Sequence, residues 1–431
     1  MEKNNPRIIR AWTFYDWANS VYPLVITSAL FPVFYENITR GSDGSDLVEV
    51  FSRSFRNSEL YSYVVSISFM IVVVLSPILS GIADYSGNKK RFLQFFCYLG
   101  AFASASLFFF DPEHLGLSMV SVLLASLGYW GSLVFYNAFL PEIADPEHHD
   151  KISARGFSLG YLGSALLLIF CLVFIMNPHW LGYENAGMLT RWSFVLVGVW
   201  WIGFAQITYR RLPNNVYRRK ANKDVIFNGF KELKSVWLQL KETKRLRAYL
   251  LSFFVFSMGV QTVMLMAVLF AKKEIPGLES KNLIISVLLI QFVGILGASS
   301  FARLSKGFGN LKALGLALFI WIGICVGTYF FVHTPVDFYI VAGVVGLVMG
   351  GIQALARSTY SKMLPETKDH ASFFSFFDIT EKLAIVIGTA SFGFIEGLTG
   401  SMRNSILALI VFFILGFVLL LRIPKTKVLD S

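Results

Sequence analysis

An aspartate interrupts an apolar stretch near the start of the chain, in FYDWANSVYP. Asp16, Asn19 and Ser20 are spaced i, i+3 and i+4, so a helix places all three on one face. A carboxylate well inside a membrane-spanning helix costs about 2.5–3.5 kcal/mol on insertion scales, so such residues usually line a polar cavity or pair with a cation. This face therefore predicts contact with a polar solute. The alternatives are that Asp16 caps a helix or pairs with Arg7 or Arg10.

A basic face in GGIQALARSTYSKMLP is the second candidate. Gln353 and Arg357 are four residues apart, and Arg357 lies about 12 Å before Pro365 along a helix. An arginine so deep in a span rarely faces lipid. Arg357 is therefore predicted to bind an anionic group of a solute or to form an ion pair that acts as a gate. If the solute carries both charges, Asp16 would bind its cationic group, such as an ammonium, and Arg357 its anionic group, such as a carboxylate.

A third cluster lies in FFSFFDITEKLAIVIG. Asp378 and Lys382 are spaced i, i+4, which favours an internal ion pair. Glu381 between them would take up a proton or lie in water, and the sequence leaves both open. Further residues that we expect to contact a solute are Tyr136, Asn137 and Gln261, and those that we expect to act in gating are Glu142 and Arg155.

The composition indicates an integral membrane protein. Of 431 residues, 55% are hydrophobic and only 15% are charged, and the mean hydropathy is +0.60. Soluble domains are about 25% charged. The three cysteines lie in separate apolar runs, so a disulfide framework is not expected.

Nothing in the sequence predicts an enzyme or a cofactor. The chain has no nucleophile elbow, no phosphate-binding loop and no zinc-ligand spacing. Adjacent histidines in the stretch HHD, residues 148–150, cannot share one helical face. We expect an exposed loop there and no metal site.

Hydropathy predicts twelve spanning helices. They lie near residues 11–35, 60–83, 92–110, 115–140, 157–176, 191–209, 248–271, 283–302, 312–332, 336–361, 376–396 and 403–422. Lysines and arginines concentrate in the segments on the side of the N-terminus, which predicts that both termini are cytoplasmic. Much of the net charge of +11 is explained by these basic cytoplasmic segments, and no nucleic-acid partner is expected.

The basic stretch in the middle of the chain predicts a linker between two halves. Its sequence VIFNGFKELKSVWLQLKETKRL spaces Phe230, Leu233, Trp237 and Leu240 as one helical stripe between lysines. Such a helix is expected to lie on the cytoplasmic membrane surface. The alternative is a calmodulin-like or nucleic-acid-binding helix. The predicted domains are 1–210, an N-terminal six-helix bundle, 211–247, the linker, and 248–431, a C-terminal six-helix bundle.

Two motifs recur in the second half of the chain. YNAFLPE at 136–142 matches YSKMLPE at 360–366, an offset of 224 residues (360 − 136). DYSGNKK at 84–90 matches KGFGNLK at 306–312, an offset of 222 between their glycines (309 − 87). Two matches at nearly one spacing predict duplicated six-helix halves, which are typical of secondary transporters.

The stretch SGIADYSGNKKR, residues 80–91, resembles the loop between helices 2 and 3 of the major facilitator superfamily. The residues that fit its motif are Asp84, Gly87, Lys89 and Arg91, and those that depart from it are Ser80, Tyr85 and Asn88. We expect a tight turn at Gly87. Asp84 would cap a helix or pair with a cation, and the alternative is a plain charged turn.

Together with YDWANSVY, ISARGFSLGYLGS and GGIQALARSTYSKMLP, this stretch resembles the branch of autophagy-linked vacuolar amino-acid effluxers and their bacterial relatives. The resemblance covers essentially the whole chain. It implies an all-α membrane protein with the major facilitator fold, twelve transmembrane helices in two six-helix pseudo-repeats, and helices 1, 4, 7 and 10 around the solute. Gly156, Gly160 and Gly163 are expected to allow close helix packing.

The function implied by this resemblance is transport of a small polar solute by alternating access, with amino-acid efflux as the first candidate. Protons are a candidate coupling ion. The expected location is the bacterial cytoplasmic (inner) membrane, with the chain as a monomer in the lipid bilayer. A lipid or drug exporter of the same fold and a non-transporting membrane receptor stay open as alternatives.

Overall fold

A computed structural model of the chain is almost entirely helical, and it describes residues 3–41, 45–50, 53–213 and 225–424. In the first part of the chain the helices are α1 Pro6–Asn19, α2 Phe31–Thr39, α3 Asn57–Ser86, α4 Lys89–Ser106, α5 Leu115–Asn137, α6 Leu140–Ile143, α7 His149–Met176 and α8 Gly187–Tyr209. The later helices are α9 Val225–Glu242, α10 Lys244–Glu274, α11 Ser280–Phe308, α12 Asn310–Phe331, α13 Pro335–Met363, α14 His370–Thr399 and α15 Met402–Leu421.

Twelve helical segments of the described chain are long and apolar enough to cross a membrane, which confirms the twelve predicted spans. The first span, Pro6–Thr39, joins α1 to α2 through a π-helical stretch, Tyr22–Leu30. Pro23 is the second residue of this stretch, and it has no backbone N–H to donate. The wider π turns begin directly after the predicted polar face, and π segments often mark functional sites.

Predicted boundaries and one connection need correction. The eleventh span was expected from residue 376, but α14 begins at His370. The fifth span was expected from residue 157, but α7 begins at His149. The first turns of α7 are polar in sequence, so their average hydropathy is too low for them to be predicted as part of the span. Ile152 and Ala154 in these turns are nevertheless buried. A short antiparallel hairpin before α3, with β1 Leu47–Val50 and β2 Arg53–Arg56 in register, was not predicted.

The chain forms two compact units. The first unit comprises Glu2–Phe139 and Leu159–Gly229, and the second comprises Leu140–Ser158 and Phe230–Ser431. The unit boundaries therefore fall directly before α6, between Phe139 and Leu140, and also inside α7 and inside α9. In the second unit, Ala154 of α7 packs with Ala298 and Ala354 in a small buried cluster. The predicted domain limits at residues 210 and 247 stay a prediction.

Glycines allow the closest helix approaches in each unit. A Cβ added to Gly128 of α5 would clash with the backbone of Gly100 of α4, and one added to Gly350 of α13 would clash with the backbone of Gly294 of α11. In the first unit, a Cβ on Gly160 or Gly163 would meet α1. These last two glycines have the packing role that the sequence predicts.

The apolar side chains of the linker helix α9 are partly buried and partly exposed. Val236 and Leu240 are buried, whereas Phe230 is 48% and Trp237 is 45% exposed. Lys241 lies 5.1 Å from the centre of the Trp237 ring. The helix is amphipathic as predicted, and its position on a membrane surface stays a prediction. The cysteines Cys97, Cys171 and Cys325 are buried and free.

Candidate functional site

Asp16 is buried in the middle of a helix. The N-cap of α1 is Asn5, whose side chain accepts a hydrogen bond from the backbone N–H of Arg7. Asp16 lies ten residues after the first helical residue, Pro6, and is 5% exposed. The alternative that Asp16 caps the helix is therefore wrong.

Tyr136 of α5 holds the Asp16 carboxylate. Its hydroxyl donates a 2.7 Å hydrogen bond to Asp16 Oδ2. The Tyr136 ring stacks on Trp12, with ring centroids 4.5 Å apart. Trp12 Nε1 in turn donates to the carbonyl oxygen of Tyr136 at 2.9 Å. Stacking and hydrogen bonding thus fix the tyrosine, and a short hydrogen bond to an ionised acceptor is among the stronger ones in proteins.

Asn19 and Ser20 continue this polar face one turn further along. Asn19 is buried, and its side-chain N–H₂ group has no hydrogen-bond partner in the described part of the chain. Ser20 Oγ lies 3.5 Å from Asn19 Oδ1. Asn137 is half-buried at the end of α5. The face thus offers a carboxylate acceptor and an unused amide donor, which together suit a solute with both a donor and an acceptor.

The motif after α3 folds as a tight turn. Gly87 ends the helix with φ 72°, a left-handed conformation that suits glycine. Asp84 and Lys89 are both buried, with Asp84 Oδ1 and Lys89 Nζ 3.4 Å apart. Arg91 is exposed. Lys90, which we did not single out from the sequence, donates a 2.9 Å hydrogen bond to the carbonyl oxygen of Leu212.

Arg357 binds the start of α7 within the second unit. Its Nε donates to Ser153 Oγ at 2.9 Å, and its Nη2 donates to the Ser153 carbonyl oxygen at 3.0 Å. The guanidinium carbon lies 4.2 Å from the centre of the Phe157 ring. Gln353 Nε2 lies 3.3 Å from Met264 Sδ. These contacts make Arg357 a clamp on the segment that contains Ser153 and Phe157.

A polar network at the start of α7 escaped the sequence reasoning. Asp150 accepts hydrogen bonds from Lys362 Nζ at 2.6 Å, Asn310 Nδ2 at 2.7 Å and Ser305 Oγ at 2.8 Å. The expectation of an exposed loop at 148–150 is wrong for His149 and Asp150, which are both buried. A signal was present, because Asn310 and Lys362 lie in the repeated motifs KGFGNLK and YSKMLPE.

Glu142 and Arg155 lie in different surroundings. Glu142 Oε1 is 3.0 Å from Nδ1 of His370, the first residue of α14. Arg155 is exposed. His370 was not among the predicted residues, since nothing in its sequence neighbourhood distinguishes it.

The charged cluster on α14 has the predicted ion pair. Lys382 Nζ lies 2.8 Å from Asp378 Oδ1 and 3.1 Å from Glu381 Oε2. Gln261 of α10 donates to Glu381 Oε1 at 2.8 Å. The structure thus joins four predicted residues of the second unit, as it joins Asp16 to Tyr136 in the first.

Sequence comparison relates the whole chain to known families. Residues 4–429 match the family model described as vacuole effluxer Atg22 like. An uncharacterized MFS-type transporter, YxiO of Bacillus subtilis (strain 168), is 32% identical over 97% of this chain and 95% of its own length. Autophagy-related protein 22-1 of Phaeosphaeria nodorum is 25% identical over 98% of this chain and 90% of its own.

Solved structures share the fold. The human organic anion transporter MFSD10 superposes with a TM-score of 0.73 over 97% of this chain and 100% of its own, at 14% identity. The E. coli fucose:proton symporter FucP superposes with a TM-score of 0.69 over 97% of this chain and 98% of its own, at 15% identity. At such low identities the likeness concerns the fold alone.

Proposed function

The chain belongs to the Atg22-like family of major facilitator transporters, and from this premise we propose that it carries a small polar solute, with amino acids as the first candidate class. Family and fold make it an integral multi-pass membrane transporter of two six-helix pseudo-repeats, and not an enzyme. The proposed mechanism is alternating access, in which the two halves expose the solute to each side in turn.

The observation that carries the proposal is the buried carboxylate of Asp16 inside the first span. A charged residue at such depth is retained against its insertion cost when it serves transport or pairs with another group. Tyr136 orients the carboxylate through a 2.7 Å hydrogen bond. Asn19 adds a buried donor that lacks a described partner. We assign Asp16 to the ammonium group of the solute, because a carboxylate accepts hydrogen bonds and carries the opposite charge.

Arg357 is proposed to act as a gate. Its side chain is engaged by Ser153 and by the Phe157 ring, which supports a role in holding the start of α7. Lys362 and His370 contact the same segment, residues 140–158, through its acids Asp150 and Glu142. Movement of this segment would require these contacts to open. Direct binding of a solute carboxylate by Arg357 stays a prediction.

The location and direction of transport are also part of the proposal. The charge distribution supports cytoplasmic termini, and the relative from Bacillus subtilis supports a bacterial cytoplasmic (inner) membrane. The family description supports efflux. We propose a monomer as the transporting species, since each chain contains both pseudo-repeats.

A lipid or drug exporter is the second candidate function. The observation that favours it is an apolar groove of about 660 Å³ between α7 and α8 in the first unit. Leu166, Phe170, Trp200 and Phe204 are among its lining residues. An apolar or amphipathic cargo would suit this groove, whereas the face of Asp16 and Asn19 suits a polar one.

The test is counterflow in proteoliposomes loaded with a mixed amino-acid pool. Native protein is compared with Asp16→Asn and with Glu36→Gln, a matched acid-to-amide change at an exposed position of the same span. We expect exchange of at least one labelled amino acid, a loss of about tenfold or more in Asp16→Asn because a charge-assisted contact is removed, and native exchange in Glu36→Gln.

Absence of exchange for every amino acid, with protein that is shown to be folded, would contradict the amino-acid assignment. Flux of a labelled lipid or hydrophobic dye under the same conditions would favour the exporter. Saturable amino-acid binding without any flux would favour the receptor.

A further inference from the structure

The charged cluster on α14 lies well inside a membrane span. Asp378, Glu381 and Lys382 are 8 to 12 residues from the first residue of the span, His370, which is about 12–18 Å along the helix. Charged side chains at such depth are rare, and they commonly mark ion pathways and proton relays.

The cluster is also removed from water. Side-chain exposure is 0% for Lys382, 7% for Asp378 and 21% for Glu381. Lys382 Nζ bridges Asp378 Oδ1 and Glu381 Oε2 at 2.8 and 3.1 Å. Gln261 Nε2 donates to the other Glu381 oxygen at 2.8 Å. Glu381 is thus the least buried member of the cluster.

The cluster of Asp378, Glu381 and Lys382 has one more acidic group than basic groups. Two carboxylates and one ammonium group give a formal charge of −1 when all three are ionised. An uncompensated buried charge is costly, and it is relieved when the group binds a proton or a counter-ion. One monovalent cation therefore balances the cluster.

The hydrogen-bond pattern identifies the atom that lacks compensation. Both Glu381 oxygens accept hydrogen bonds, and so does Asp378 Oδ1. Asp378 Oδ2 is buried and has no partner in the described part of the chain. Lys382 and Glu381, on the same helix, are charged groups of the same cluster. From α10 the cluster receives the neutral amide of Gln261.

We propose that Asp378, Glu381 and Lys382 form a binding site for one proton, with Asp378 Oδ2 as the accepting atom and Glu381 as the link to water. The carboxylate of Asp378 takes one proton from solvent, and the charge of the cluster changes from −1 to 0. Protonation weakens the attraction between Asp378 and Lys382. It leaves Glu381, whose Oε1 accepts a hydrogen bond from Gln261 of α10, as the charged partner of Lys382. The use of this proton to couple transport rests on the proposed function, whereas proton binding does not.

The experiment is a pH titration of the carboxyl C=O stretch by infrared difference spectroscopy. Full-length protein is reconstituted into vesicles of phosphatidylethanolamine and phosphatidylglycerol, without any solute. We expect the native protein to show a carboxyl band that is lost in Asp378→Asn. The matched control is Glu396→Gln on the same helix, where the acid pairs with Lys273 at 2.6 Å, and it should keep the band.

A second variant keeps the test decisive if Asp378→Asn fails to fold. Glu381→Gln removes one negative charge beside Asp378, so the Asp378 band should persist with its midpoint shifted to lower pH. An unshifted midpoint in Glu381→Gln, a band that survives in Asp378→Asn, or no band in the native protein overturns the proposal.

Sodium is the competing occupant. Thermal unfolding is measured in sodium chloride and in choline chloride at constant ionic strength. If sodium stabilises the native protein but not Asp378→Asn, and the native protein shows no carboxyl band, the proton-site proposal is overturned in favour of a metal-cation site. Counterflow that depends on Asp16 without the band leaves the transport proposal intact and removes the proton site. A carboxyl band in protein that shows no counterflow supports the proton site and contradicts the transport proposal.

Discussion

The same sequence motif serves two different ends in the two units. Tyr136 of YNAFLPE and Tyr360 of YSKMLPE are both fully buried. The Tyr136 hydroxyl donates to the carboxylate of Asp16, whereas the Tyr360 hydroxyl donates to the backbone carbonyl of Phe373. In the first unit the tyrosine orients a charged residue. In the second it ties α13 to the first turn of α14.

This difference shows that duplication repeated the scaffold and left the polar chemistry free to diverge. The buried acids of the first unit include Asp16 of α1 and Asp84 of α3, whereas those of the second include Asp150 of α7 and Asp378 of α14. The residue of α10 that donates a hydrogen bond to Glu381 of α14 is the neutral Gln261. Two halves of similar backbone can therefore divide their tasks, with solute binding proposed for one and proton binding for the other.

The largest effects are expected where both units depend on glycine contacts. Gly128→Ala and Gly350→Ala each place a methyl group against backbone, and overpacking of this kind costs about 3 kcal/mol or more when the backbone cannot move. We expect a large fall in melting temperature or in folded yield for both. Gly323→Ala on α12 is the control, because a Cβ there meets nothing within 4 Å. If either variant kept the native melting temperature, the two units would not depend equally on their glycine contacts.

The next largest effect on stability is expected for the polar network around Asp150 in the second unit. Lys362→Met removes the cation from the buried Asp150 carboxylate, and breaking a buried pair costs about 3–5 kcal/mol. We expect the lower end of this range, since Ser305 and Asn310 still donate to Asp150. The measurement is unfolding of purified protein in detergent, followed by tryptophan fluorescence.

Lys273→Met is the matched control for this network. Its partner Glu396 is at a similar distance, 2.6 Å, but the two side chains are 51% and 27% exposed. Exposed pairs contribute about 0–1 kcal/mol. Equal losses in the two variants would show that burial of Asp150 does not strengthen its pairing.

The smallest effect sharpens the comparison of the two tyrosines. Tyr136→Phe removes a charge-assisted hydrogen bond and should cost about 1.5 kcal/mol, near the upper end for interhelical hydrogen bonds in membranes. Tyr360→Phe removes a neutral one and should cost about 0.6 kcal/mol, near their average. Thermal unfolding measures both. Counterflow should fall in Tyr136→Phe and not in Tyr360→Phe. An equal fall in both variants would contradict the role of Tyr136 in orienting Asp16 for transport.

Hydropathy was sufficient to predict the spans, because each spanning helix must be apolar over most of its length. It failed at the start of α7, where Asp150 and Ser153 are polar in sequence yet buried by partners far along the chain. The i, i+4 spacing predicted the pair of Asp378 and Lys382 correctly. The bond between Asp16 and Tyr136 joins residues 120 positions apart, so spacing alone could place each on a helix face without pairing them.

Non-local partners also explain which cations were missed. His370 looks like an ordinary helix-end residue in sequence, and Lys362 stands out only by its place in the repeated motif YSKMLPE. Their importance comes from Asp150 and Glu142, which tertiary structure alone brings to them. The hairpin of Leu47–Val50 and Arg53–Arg56 was missed because its strands are short and carry charges that resemble loop sequence.

The buried state of Cys97, Cys171 and Cys325 has a practical consequence for work on this transporter. A membrane-impermeant maleimide reaches only thiols that meet water, so the native chain should give a low labelling background. A single cysteine placed at an exposed position, such as Glu36→Cys, can then carry a fluorophore or spin label in the native sequence. Changes in its labelling rate with solute or pH would follow the conformational cycle without a cysteine-free variant.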